Sequence, residues 1–428
     1  MSGVRAGAPG GAASSSPGKR GRRVADKKIR PLQVLARAFD RFESALIAAE
    51  GGPRPLEEIR NRFSTALLAR IATRLLGELG MTPPPSARLF RMADIEAHIY
   101  DVSEIAGSLE HAIDALIGDM RATRESVPDS LGGAFEGLLS LEIGGAPGAR
   151  HLSSSRRRRR TGSFFTPSTI TALVLERALQ MLTVVGRSPA SDISVCDPAC
   201  GAGAFLIAAA RALVEARRRA ALEARVPFDE IAARRRVVQH CIAGVDLDPL
   251  AVAITELSLW AFVGDPTLPP EASGRLHQGD AVTGRGFSDR GVLTADRCRF
   301  DWDAAFPGER ERGFDLVVGN PPWIAYTGRA TQPLAPNRRA FFAQSYGAFR
   351  GYPTLHAVFV ERAAELCPSG IVALVIPSPL ADLDGYRPAR RALANSHAVC
   401  EPMLEFGQDA FEEVTQPCFA LIARPRSG

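Results

Sequence analysis

From Thr161 onward the chain alternates short apolar runs with helical stretches, and this alternation restricts its fold more than any other feature. The runs are Ile193–Asp197, Ile242–Asp246, Phe314–Gly319, Ile371–Pro377 and Cys418–Ala423. Between them lie Ala204–Arg219, Pro249–Val263 and Leu355–Leu366, each with helical spacing of its apolar residues. Strands apolar on both faces and joined through helices predict an α/β fold with a doubly wound, mainly parallel sheet. Ligands of such sheets bind beyond the C-terminal strand ends, and the unusual residues of this chain cluster there.

Upstream the period changes. Leu32, Leu35, Phe39, Phe42 and Leu46 fall at helical spacing, as do Leu56, Ile59, Phe63, Leu67, Ile71 and Leu75, with Gly51, Gly52 and Pro53 between the two stripes. A third stripe, Leu109, Ile113, Leu116 and Met120, follows Ser108. Four segments are therefore expected. Residues 1–30 read as a disordered basic tail, 31–145 as a helical domain, 146–161 as a Gly/Ser/Arg linker and 162–428 as the α/β domain.

Composition mainly excludes. No run of 18 apolar residues exists, so no membrane-spanning helix is expected. The seven cysteines are scattered singly without a C-x-x-C pair, which argues against a disulfide framework or zinc ribbon and for a reducing, cytoplasmic setting. Only Lys19, Lys27 and Lys28 among the 52 basic residues are lysines. That removes a Walker P-loop, a Schiff-base enzyme and the metal-dependent nuclease motif that ends in lysine. The net charge of +5 is compatible with a polyanionic partner.

Three turns suggest a cofactor cradle. Asp197-Pro-Ala199-Cys-Gly201-Ala-Gly203-Ala-Phe205 follows one strand and opens a helix, where glycines let the backbone approach a ligand closely. The next strand ends in Asp246-Leu247-Asp248, where a carboxylate can grip a ribose diol, although Asp248 beside Pro249 equally suits a helix cap. Gln278-Gly-Asp280-Ala281 places another carboxylate to accept from an adenine amino group. The dinucleotide pattern G-x-G-x-x-G is not met, since Leu206 stands at the third glycine.

The sharpest signal is Asn320-Pro321-Pro322-Trp323, delivered by the strand Phe314–Gly319. An exocyclic amine conjugated to a ring is a poor nucleophile. Two acceptors, the Asn320 side-chain oxygen and the Pro321 carbonyl, can hold its two N–H groups and turn the lone pair toward an electrophilic methyl. No strong base is required for that step, so a neutral amide suits it. Trp323 can stack on the base, with a contribution of about 1–3 kcal/mol.

Together these residues resemble the N6-adenine-specific DNA methyltransferases of bacterial modification and phage-defence systems. Gly162-Ser-Phe164-Phe165-Thr166-Pro167 is similar to the family's methionine-binding motif, and Asp197–Phe205 to its cofactor loop, with Ala202 where serine is common. Gly351–Phe359, Gly370–Ser378 and Phe406–Phe411 are similar to its later motifs; in the last, Phe411 reads either as packing on the other face of a flipped base or as a core residue. Leu131–Leu139 resembles the helix that leads into the domain in large modification enzymes. The likeness covers roughly residues 130 to 424.

The resemblance implies a Rossmann-like class I methyltransferase domain that uses S-adenosylmethionine, with Asp246 and Asp280 at its ribose and adenine positions. It also implies a site-specific, adenine-specific activity on double-stranded DNA with the adenine flipped out. Because the chain stops close to its last strand, a separate specificity subunit is the expected partner. The tetrapeptide by itself also occurs in methylases of RNA and of protein glutamine, and an inactive DNA-binding subunit is the remaining alternative.

Two basic features stand apart. Arg156, Arg157, Arg158, Arg159 and Arg160 precede the methionine-binding motif and read either as a solvated linker or as phosphate contacts. The segment Ile324–Arg350, with Arg329, Arg338, Arg339 and Arg350, is a long connection that reads either as a substrate-binding loop or as a surface insertion.

Overall fold

The computed structural model describes residues 19–94, 103–117, 122–123, 125–154, 166–283, 300–328, 331–408, 410–411 and 416–426. Five helices come first: α1 (Lys19–Glu50), α2 (Leu56–Glu78), α3 (Arg88–Asp94), α4 (Ser103–Ile117) and α5 (Ser126–Leu139). A hairpin of β1 (Leu141–Gly144) and β2 (His151–Ser154) follows. The α/β region then runs α6 (Ser168–Val184), β3 (Val195–Asp197), α7 (Ala204–Glu223), α8 (Glu230–His240), β4 (Ile242–Asp246), α9 (Pro249–Val263) and β5 (Leu276–Gln278). It continues through α10 (Trp302–Ala305), β6 (Leu316–Gly319), α11 (Pro336–Ser345), α12 (Leu355–Leu366) and β7 (Ile371–Pro377). It closes with α13 (Pro379–Asp382), α14 (Arg387–Ala394), β8 (His397–Val399), β9 (Leu404–Gly407) and β10 (Cys418–Pro425).

The large sheet has the order β5-β4-β3-β6-β7-β10-β8, with β9 also paired to β10. Strands β3 to β7 are mutually parallel, and β10 runs antiparallel to β7, β8 and β9. The chain builds outward from β3 in one direction through β4 and β5, and in the other through β6 and β7. Strands β3 and β6 therefore flank the topological switch point, where open α/β sheets bind ligands. Separate buried clusters cover the two faces, one including Val195, Leu206 and Leu316, the other Val245, Val317 and Leu374.

The helical region is not a free-standing unit. Its aromatic centre is Phe63, edge-on to Phe39 at 5.3 Å and to Phe42 at 5.5 Å. The same buried cluster takes in Leu67, Phe135 and, from the α/β region, Ala202, Leu250, Ile254, Leu257 and Trp260. Helix α9 is mostly apolar and buried on every side, as expected of a helix sandwiched between two layers; only Pro249 of its residues is not buried, and its one charged residue, Glu256, is ion-paired to Arg88 of α3 at 3.0 Å.

Three sequence-based boundaries change. Helix α1 already begins at Lys19, inside the segment expected to be a tail, because helix formers such as Arg22, Ala25 and Lys27 extend the amphipathic stripe N-terminally. The expected linker is partly a hairpin docked on α1. There Asp40 accepts from the Gly148 N–H at 2.9 Å and from the Arg150 N–H, and Arg150 Nε donates to Glu43 at 2.8 Å. Polar composition concealed these pairings. The expected loop Ile324–Arg350 contains α11 and a 3-10 turn, packed through buried Phe342, Tyr346 and Phe349 at helical spacing. Phe164, Phe165, Arg329 and Arg156–Arg160 lie outside the described residues. No helix among the described residues is long and apolar enough to cross a membrane.

A candidate active site at the switch point

The cofactor loop folds over the end of β4 and is fixed there by backbone and side-chain bonds. Cys200 N–H donates to the Val245 carbonyl at 3.0 Å, and Thr255 Oγ1 donates to the Gly201 carbonyl at 2.9 Å. Gly203 has φ +85° and caps α7; a Cβ there would lie 2.7 Å from Thr255 Cγ2. Only glycine meets both demands. Phe205 is buried beneath the turn.

Two carboxylates are held rigidly in this frame. Asp246 accepts from Gly201 N–H at 2.8 Å and from Asp248 N–H at 2.9 Å, while Asp197 accepts from Ala199 N–H at 3.0 Å. Burial pushes the Asp197 carboxyl up to about 8 against that one N–H, with the Asp246 charge raising it further. Burial likewise raises Asp246 to about 6, opposed by its two backbone donors. Asp248 caps α9 by accepting from Leu250 N–H at 2.9 Å, the simpler of its two sequence readings.

The tetrapeptide stands directly beside this frame. An added Cβ at Gly319 would lie 2.5 Å from Asp197 Oδ1, so the bare backbone of the strand end touches the buried acid. The Asn320 amide nitrogen donates to Thr166 Oγ1 at 3.0 Å, which turns the amide oxygen to the opposite side. Pro321 is buried, and the Pro322 carbonyl accepts from Ile324 N–H at 3.0 Å to close a tight turn. Trp323 donates its indole N–H to the Val375 carbonyl at 3.4 Å.

One cleft joins the two halves. Thr166, Asp197, Ala199, Gly201, Phe205, Asp246, Leu247, Asn320 and Pro322 all line it. So do residues that sequence reasoning missed: Glu57, Arg60 and Ser64 of α2, and Glu136 of α5, whose Oε1 is 3.9 Å from a Cβ placed on Gly201. The available signal was the likeness of Leu131–Leu139 to a leading helix, which carries Glu136 to the cofactor loop.

Several expected site residues do not line this cleft directly. Asp280 adjoins it, since Gln278 lines the cleft and Gly279 N–H donates to the Asp246 carbonyl at 2.8 Å, but its side chain is buried and ion-paired to Arg338, with Nη2 and Oδ2 2.7 Å apart. Arg338 is itself buried, over the Phe342 ring, and so cannot serve as the expected DNA-backbone contact. Its neighbour Arg339 is exposed and donates to the Tyr326 carbonyl at 3.2 Å. Ala281 is buried and accepts from Trp302 Nε1 at 3.1 Å. Phe411 does lie beside Trp323, but edge-on at 5.2 Å and 80°, and it is 4% exposed. It packs against the indole as part of the apolar cluster and does not form the second wall of a base slot.

The chain is similar to several known proteins. A family model described as Eco57I restriction-modification methylase matches residues 240–411, and one described as N-6 DNA Methylase matches residues 129–260. Adenine-specific methyltransferase PglX of Streptomyces coelicolor is 28% identical over 222 residues, covering 47% of this chain and 17% of that protein. The chain thus spans a minor part of this curated relative. Among solved structures, DrdV in complex with DNA aligns with a TM-score of 0.62 at 14% identity, over 95% of this chain and 41% of that one. The Type ISP restriction-modification enzyme LlaGI, as a nuclease-deletion mutant, aligns with a TM-score of 0.57 at 12% identity, over 96% of this chain and 39% of that one. At such identities these likenesses speak to the fold alone. The two family models overlap and together span residues 129–411. Over these residues the chain is similar to N6-adenine DNA methylases of restriction-modification systems.

Proposed function

We propose that the chain transfers a methyl group from S-adenosylmethionine to the N6 amino group of adenine in DNA, as the modification component of a restriction-modification or phage-defence system. The observation that carries this reading is the contact across the switch point. The Asp197 carboxylate abuts Gly319, and Asn320, the next residue, lines the same cleft as Asp246. A methyl donor seated by the first group would meet an amine held by the second.

The residues fit such a donor. Asp197 is buried and Asp246 half-buried at the cleft, and desolvation raises the pKa of both, so a cationic ligand would restore their charged forms. Asp246 is preorganised by two backbone donors and keeps acceptor capacity for a ribose diol. When bound, the cofactor supplies a methyl carbon on a sulfonium centre. Thr166 fixes the Asn320 amide, and the Asn320 oxygen with the Pro321 carbonyl accepts the two N–H groups of the target amine. Holding both hydrogens in the plane of these acceptors localises the nitrogen lone pair. Trp323 stacks on the extruded base, offsetting the few kcal/mol lost on unstacking it, and Phe411 braces the indole from its edge.

Sequence choice is supplied by a separate specificity subunit, and the basic run Arg156–Arg160 with Arg339 contacts the DNA backbone. The test uses methyl-labelled cofactor offered with DNA, RNA or protein. Label on adenine N6 of DNA that vanishes in Asn320→Ala supports the assignment, whereas transfer only to RNA or glutamine overturns it. Full-rate methylation of one defined sequence by the purified chain alone removes the need for a partner.

A further inference from the structure

We propose that Arg338 is a positioning residue for the adenine end of the methyl donor, acting through its ion pair with Asp280. This rests on the reading of Asp280 as the acceptor for the cofactor's 6-amino group. Both partners are more than nine-tenths buried, and the guanidinium lies 2.7 Å from Asp280 Oδ2. Asp280 Oδ1 accepts from Val282 N–H at 3.3 Å, so each carboxylate oxygen has one fixed partner. A carboxylate has further lone pairs, and holding it in one orientation leaves those aimed in a constant direction.

Arg338 comes from far along the chain, on α11, beyond the Asn-Pro-Pro-Trp turn. The helix is anchored so that this reach is reproducible. Tyr346 Oη donates to the Val282 carbonyl at 2.7 Å, two residues past Asp280, and Arg362 in turn bonds the Tyr346 hydroxyl. The Arg338 guanidinium rests over the Phe342 ring at 5.1 Å, which confines its plane. On the other side Arg339 holds the Tyr326 carbonyl, three residues after Trp323. Adjacent arginines of one helix thus tie the adenine-side acid to the segment that carries the target-base aromatic. A buried acid deprived of its cation takes up a proton or shifts, and either change weakens it as an acceptor for an amine.

The test measures binding by calorimetry, with S-adenosylhomocysteine and its 6-deamino analogue as the two ligands. The wild-type chain should prefer the amino ligand by about 10- to 100-fold, the range of one hydrogen bond to a charged group. Arg338→Gln should reduce that preference to near unity, and Asp280→Asn should do the same. Arg338→Lys, which keeps the charge but loses the fork, should restore part of it and carries the test if the Gln variant does not fold. An arginine with a merely structural role would weaken both ligands equally and leave the ratio intact, which overturns the proposal. Tighter binding of the amino ligand by Arg338→Gln would show competition for Asp280 and also overturns it. If the wild type binds neither ligand, it is the methyltransferase reading that fails.

Discussion

Two neighbouring edges of the sheet share the cleft, and they are built on opposite electrostatic principles. Beyond β3 and β4 the chain holds one buried and one half-buried carboxylate and spends backbone N–H groups to keep them in place. Beyond β6, less than a side chain away, it offers a neutral amide, two prolines and an indole. The first edge is acidic, held by backbone donors rather than by a cation among the described residues; the second avoids formal charge altogether. An edge meant to receive a cation gains from uncompensated acids, whereas one meant to raise the nucleophilicity of an uncharged amine gains from oriented acceptors. Under the proposed function this difference would separate the donor side from the acceptor side of a transfer reaction, and it is a difference that substitutions can probe.

The largest effect is expected at the neutral edge. Asn320→Ala should lower methyl transfer by at least about 10²- to 10³-fold, the scale of one preorganised polar group in a catalytic site, with cofactor affinity nearly unchanged in a binding titration. A parallel loss of cofactor affinity would merge the two edges into one function and break the comparison. Next comes the acidic edge. Asp246→Ala should weaken cofactor binding by about 10- to 100-fold, as expected for hydrogen bonds to a charged group. Its effect on the transfer rate at saturating cofactor should be the smaller one, read from the split between kcat and KM.

A pH titration sharpens the contrast further. Asp197 and Asp246 sit near about 8 and about 6 rather than at the ordinary 3.8, because burial disfavours their charged forms. A cationic ligand selects the ionised forms, so affinity for S-adenosylmethionine should climb as pH rises from 6 to 8. The homocysteine product, without the sulfonium charge, should show a shallower climb. Asp246→Asn should remove the lower limb, and a flat profile would deny the acidic edge its role. The same raised values mean that the folded state binds protons more tightly than the unfolded chain. Without ligand, these two groups make stability fall as pH rises from about 4 to 8. The smallest effect concerns the basic run. Replacing Arg156–Arg160 with Gln should reduce the steepness of log affinity for DNA against log salt, by up to about 0.9 for each phosphate no longer neutralised. An unchanged slope would leave the run as a solvated linker.

Much of this architecture was legible because apolar runs of the right length are hard to place anywhere but in a buried sheet. The strand Ile371–Pro377 and the helices Pro249–Val263 and Leu355–Leu366 coincide with their expected limits. The two site clusters were legible because glycine, proline and acid recur at strand ends for backbone reasons. What stayed hidden depends on pairings distant in sequence. Nothing local tells that Arg338 turns inward to Asp280, since an arginine beside a second one on a short helix reads as surface. The hairpin Leu141–Ser154 was hidden for a similar reason, as its stability comes from Asp40 and Glu43 about 110 residues away. Phe411 reads from sequence either as a base-stacking ring or as a core residue, because the sequence carries no information on ring orientation; in the structure it packs edge-on to Trp323.

The continuity of the α9 packing has a practical consequence for dissecting this molecule. Leu250, Ile254, Leu257 and Trp260 are covered by the N-terminal helices, so excising those helices would lay bare a sticky strip next to the turn that carries Asp246. A fragment beginning at residue 162 is expected to self-associate, and a donor pocket stripped of its ceiling would gape open. The N-terminal helices are thus a wall of the candidate site, and grafting the α/β half onto another protein would have to carry them along.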